Sequence, residues 1–101
     1  MSSCSYTSVV IKKSDRKEKK LMAIFRNDEG RTKTIHFGSA GMDDYTLTKD
    51  KQQKMRYIAR HKAREDWTRC DTAGSLSYHI LWSEPTRTEA IRKYKSKFNL
   101  R

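Results

Sequence analysis

His61 and Glu65 stand four residues apart, with Asp66 directly after them, and this is where the chain comes nearest to catalytic chemistry. An imidazole and a carboxylate at that spacing share one helix face, where they serve as a general base pair, as two metal ligands, or as a plain i,i+4 ion pair. A zinc or nuclease site needs third and fourth ligands, and neither a C-x-x-C nor an H-E-x-x-H motif occurs. The other histidines, His36 and His79, are isolated, and nothing around Cys70 suggests an oxyanion site. The pair therefore reads as structural. The expectation is no enzyme, no catalytic residue, no metal, no cofactor and no small-molecule substrate.

Phosphate chemistry is the other possibility. Gly38 and Gly41 lie three apart in Phe37–Thr46, but Asp43 and Asp44 beside them would repel a phosphate. That stretch reads as a shaped loop. The charge lies elsewhere. Lys and Arg number 23 against 12 Asp and Glu, a net +11. Residues 1–47 contribute +3 of it and residues 48–101 contribute +8. Such a surface attracts a polyanion and releases its counterions on binding. The bases expected to meet phosphates or an acidic partner are Lys54, Arg56, Arg60, Lys62, Arg64, Lys93 and Lys97. Tyr57, Trp67, Tyr78 and Trp82 either fill the core, the preferred reading, or stack on unpaired bases.

These side chains need a scaffold, and 101 residues supply one domain. Hydrophobic residues are 35% of the chain, so its core is thin, yet aromatics at 10% and a single proline argue for a fold. Residues 6–13 and 31–37 are β-branched and partly alternating, and residues 19–27 set Leu21, Ala23 and Phe25 against Met22 and Ile24. Asn27-Asp28-Glu29-Gly30 is a turn. A three-stranded antiparallel meander over about 6–37 is the simplest connection, and it needs cover on one face.

The helical half, about 48–98, supplies that cover. Thr48 or Asp50 caps a helix running to about Glu65, with Met55, Ile58, Ala59 and Lys62 as its buried stripe. A short helix follows across Ser75–Trp82, and Pro85 stops it. Thr86-Arg87-Thr88-Glu89 is a capping box opening a last helix whose apolar positions are Ala90, Ile91, Tyr94 and Phe98. The class is α+β: a three-stranded meander followed by two or three helices packed on one face, as one basic domain over 1–101.

No apolar run can cross a bilayer, so no membrane insertion is expected. The first residues lack a signal-peptide pattern, which points to a protein that is not secreted and stays in a reducing interior. Cys4 and Cys70 accordingly read as two free thiols.

Several strings resemble a known family. Phe37-Gly38-x-x-Gly41-x-Asp43-Asp44-Tyr45-Thr46, Lys49-Asp50 and Arg56-Tyr57-Ile58-Ala59-Arg60-His61-Lys62-x-Arg64-Glu65-Asp66-Trp67 are the first three. Thr72-Ala73-Gly74-Ser75-Leu76-Ser77, Ile80-Leu81-Trp82, Pro85-Thr86 and Tyr94-Lys95-x-x-Phe98 complete them. Together they resemble small uncharacterised proteins of large nucleocytoplasmic DNA viruses. The resemblance implies a viral origin and no assigned activity, so no catalytic residue is carried over. It also implies the acidic partners at hand, namely the packaged genome (DNA or RNA backbone) or the inner faces of acidic capsid proteins. The expected location is the virion or the host cell interior. Two functions follow as expectations: binding nucleic-acid backbone through the helical half, or acting as a minor capsid protein that bridges acidic faces.

Overall fold

A computed structural model describes residues 4–101. Three strands, β1 (Ser8–Lys13), β2 (Lys19–Arg26) and β3 (Thr32–Ser39), form an antiparallel sheet in chain order. Side chains alternate across the pleat, so the register decides which set is buried. Val9 opposes Phe25, Ile11 opposes Ala23, and Leu21 opposes Phe37. That face is the core: Val9, Leu21, Ala23, Phe25 and Phe37 are all buried. Asn27 Oδ1 accepts from the backbone N–H groups of Glu29 and Arg31, and Gly30 takes φ +84°, which builds the β2–β3 turn.

The helices α1 (Tyr45–Thr48), α2 (Lys51–His61), α3 (Ala73–Leu76) and α4 (Arg87–Lys97) cover that face, with a π-helical segment, Ser77–Trp82, running on from α3. The expected α+β class holds. Side chains cap each helix start: Asp44 at α1, Asp50 at α2, Thr72 at α3 and Thr86 at α4. Each satisfies N–H groups that the first turn leaves without partners.

The centre is the π-helical segment. His79, Ile80, Leu81 and Trp82 are consecutive and all buried. Four consecutive buried residues point to every side of a helix, so the segment has to be enclosed. Here β3 and helices α1, α2, α3 and α4 enclose it. Gly38 (φ +77°) marks a close approach of sheet to helix, because a Cβ there would lie 2.8 Å from Leu81 Cδ1.

Three expectations need correction. Helix α2 ends at His61, although two further turn bonds, from Arg64 and Glu65 N–H to the His61 carbonyl, continue its direction. Its buried stripe is not Met55, Ile58, Ala59 and Lys62. Met55, Ala59 and Lys62 are exposed, while Tyr57 is buried and Lys54, Ile58 and His61 are half-buried beside it. Stacking of Tyr57 on the Trp82 ring, 4.3 Å away at 7°, sets the rotation of the helix instead. Finally, Cys4 and Cys70 are not free thiols: they form a disulfide across 66 residues, with Cα atoms 5.4 Å apart. Sequence spacing said nothing of this, since the fold alone carries the start of the chain to the loop before α3.

Candidate nucleic-acid interface

Helix α2 and the turn after it, residues 51–64, carry six Lys and Arg and no carboxylate. Gln52 and Gln53 N–H donate to Asp50 Oδ1 at 2.9 and 3.2 Å, fixing the helix start. Packing of Tyr57 then turns Lys51, Arg56, Arg60 and Lys62 into solvent. Among the described residues, Arg56, Arg60, Lys62 and Arg64 form no ion pair. Uncompensated exposed cations keep their full field for a partner.

Lys54 is half-buried and turned inward. Its ammonium donates to the Ser83 carbonyl at 2.8 Å and lies 4.9 Å from the centre of the Tyr45 ring. It ties α2 to the end of the π-helical segment, so its charge is already engaged within the fold. Lys93 is exposed but holds Glu84 at 3.2 Å. Lys93 and Lys97 share a groove with Trp67, Tyr78 and His79, away from the α2 cations. The seven expected bases thus divide between α2 and α4, each helix packed on the π-helical segment.

Beside α2 a cleft of about 370 Å³ opens between the β3–α1 loop, α2 and α3. Arg60 and His61 line it from α2, and Lys19 and Lys20 line it from β2. Lys19 carries no signal in the sequence, because it sits within a Lys-rich stretch that also holds Asp15 and Glu18. Of the carboxylates there, Asp44 is 1% exposed and bound by Lys20 at 2.5 Å. Asp43 is exposed at the rim.

An aromatic stack forms one wall. Tyr57 lies 4.3 Å from Trp82 at 7° and 4.1 Å from His61 at 18°. Two near-parallel rings cannot share one face of a third at such separations, so Tyr57 is sandwiched and His61 ends the stack. Burial, reinforced by the Glu65 charge, pushes the Tyr57 hydroxyl well above its ordinary pKa and keeps it neutral. The His61 Nδ1–H donates to Glu65 Oε2 at 2.8 Å, and the Trp67 Nε1–H donates to Glu65 Oε1 at 2.9 Å. Glu65 therefore joins this stack to a second, in which Trp67 and Tyr78 lie 3.9 Å apart at 6°. Of the four aromatics considered for base stacking, Tyr57 and Trp82 are buried in each other's company, and Trp67 and Tyr78 are half-buried.

His79 is the buried histidine. Its Nε2–H donates to the Trp67 carbonyl at 2.9 Å. Burial pulls its pKa below 6.5, against the opposing effect of that bond, and nearby Lys97 lowers it further. Among the described residues no group of three or more His, Cys, Asp or Glu could hold a metal ion, and no helix is long and apolar enough to cross a membrane.

A thin-cored α+β domain with a cationic helix beside an aromatic-walled cleft is the class of protein that these features define. Residues 9–61, more than half of the chain, match a family described as "Family of unknown function (DUF5754)", and the chain belongs to that family. An uncharacterised protein of Acanthamoeba polyphaga mimivirus is 31% identical over 78 residues, which cover 71% of this chain and 78% of that protein. The expected kind of family, viral and without assigned activity, is thus the kind found. The family match ends at His61, so the end of the Arg56–Trp67 string and every quoted string from Thr72 onward lie outside it. No solved structure matches the chain.

Proposed function

We propose that this is a small, non-enzymatic viral protein that holds nucleic-acid backbone on the exposed side of α2, within the virion or the infected cell. The carrying observation is the set of exposed cations Arg56, Arg60, Lys62 and Arg64, without ion pairs among the described residues, on a run without a carboxylate, with Lys19 across the adjoining cleft. Lys93 and Lys97 are a secondary contact, since Glu84 already holds part of that charge. Backbone contacts of this kind position a polyanion without reading its sequence. The His61–Glu65 pair supports a structural role, because Glu65 is also engaged by Trp67 and His61 by Tyr57.

Titration of labelled mixed-sequence duplex DNA at increasing salt tests the reading. Four or five phosphate contacts give a slope of log K against log salt of about −4, at roughly −0.9 per contact. A flat salt response would overturn it.

A second reading, a minor capsid protein bridging acidic faces of other capsid proteins, is favoured by Leu47 and Met55, which are 59% and 61% exposed on α1 and α2. Apolar side chains beside cations suit a protein face better than a phosphate backbone. Under this reading the protein stays with DNA-free shells, and under the first it leaves with the genome.

A further inference from the structure

Resting on the nucleic-acid reading, we propose that the cleft beside α2 takes an unpaired nucleobase against the open face of His61, so that the favoured polynucleotide is single-stranded. His61 ends the Trp82–Tyr57–His61 stack, and its side chain is 37% exposed while the two rings behind it are buried. The ring is held before any ligand arrives: Tyr57 fixes its plane, and the bond from Nδ1 to Glu65 fixes its rotation. Its Nε2 has no hydrogen-bond partner among the described residues. A ring already immobilised loses little entropy when a base stacks on it.

The surroundings suit a nucleotide unit. The cleft volume of about 370 Å³ falls within the ~300–1,000 Å³ typical of small-ligand sites. Arg60, one residue before the stacking ring, and Lys19 opposite it are exposed or half-exposed cations without ion pairs among the described residues. They are placed for the flanking phosphates. The carboxylates are not an obstacle there: Glu65 and Asp44 are already bonded, and Asp43 sits at the rim as an acceptor for a base N–H. A paired base keeps both faces stacked in the duplex and cannot enter such a cleft, whereas a single strand offers a face at no unpairing cost.

Fluorescence polarisation with one mixed 12-nucleotide sequence, as single-stranded DNA, as single-stranded RNA and as duplex DNA, separates the outcomes at a fixed salt concentration. The expected result is single-strand binding about tenfold tighter than duplex binding, with the DNA and RNA arms showing whether the sugar matters. His61→Ala should abolish the preference and leave duplex affinity within twofold, while His61→Phe should retain it. Equal affinity for the strand and the duplex, or a preference unaffected by His61→Ala in a variant with the native circular dichroism spectrum, would overturn the base cleft and leave backbone binding standing. Absence of binding to every probe would overturn both readings.

Discussion

The Lys20 ammonium lies 2.5 Å from Oδ2 of Asp44, a carboxylate that is 1% exposed and that also accepts from Thr46 N–H at 2.9 Å to start α1. Arg87 Nη2 adds a second cation at 3.8 Å. One carboxylate therefore joins β2, α1 and α4.

Removing one partner from such a buried pair strands the other charge, at a cost of about 3–5 kcal/mol. Asp44→Ala is expected near the upper end, because it takes away the cap of α1 as well and leaves Lys20 and Arg87 facing each other. Lys20→Met is expected to cost less, since Arg87 remains. Urea unfolding of both variants measures the difference.

The α2 cations and Lys54 should separate cleanly. Arg56→Ala and Arg60→Ala are each expected to lower DNA affinity and to reduce the salt slope by about 0.9, with little change in stability. Lys54→Ala is expected to do the reverse, costing about 1–3 kcal/mol through the lost bond to Ser83 and leaving the slope unchanged. Salt titrations paired with thermal melts read both quantities.

His79 predicts an acid limb. Its folded pKa lies below 6.5, so below that pH the unfolded chain binds more protons than the native one. Stability is then fully present above about pH 6.5 and falls as the pH drops beneath it. His79→Gln should flatten this limb between pH 6.5 and 5, whatever its effect at pH 8. Unfolding midpoints collected across that range decide the matter.

Two glycines with similar positive φ should respond differently to alanine. Gly30, at φ +84°, has nothing within 4 Å of the added methyl group, whereas at Gly38, at φ +77°, that methyl meets Leu81 at 2.8 Å. Gly30→Ala is expected to cost about 1 kcal/mol through the backbone alone. Gly38→Ala should add about 1–3 kcal/mol by prising the sheet from the π-helical segment. Chemical denaturation of the two variants side by side gives the increment.

Much of this scaffold was legible in the residues. Leu21, Ala23 and Phe25 alternate with Met22 and Ile24, and it is the first set that joins the central core. Thr86 with Glu89 marked the last helix, and the structure caps it there. What could not be read were choices made between distant segments. Tyr57 outranks Met55 because Trp82, 25 positions further on, offers a ring to lie against. Lys54 looks like its neighbours Arg56 and Arg60 until the Ser83 carbonyl arrives beneath it. Lys19 became a candidate contact once the β3–α1 loop and α2 walled a cleft around it. In each case local pattern gave the element, and the partner across space gave the role.

The Cys4–Cys70 bond has a topological consequence. It closes residues 4–70 into a covalent ring carrying all three strands, α1 and α2, and the remaining segment hangs from it as a tail. The tail is not loose, because the Tyr94 hydroxyl on α4 donates to the carbonyl of Cys70 itself. A protease nick in the exposed turn at Asp28–Gly30 would therefore leave one covalent species, heavier only by the water consumed, which would part into two fragments only after a reductant is added. The cationic helix and the sheet behind it are threaded on the same closed loop.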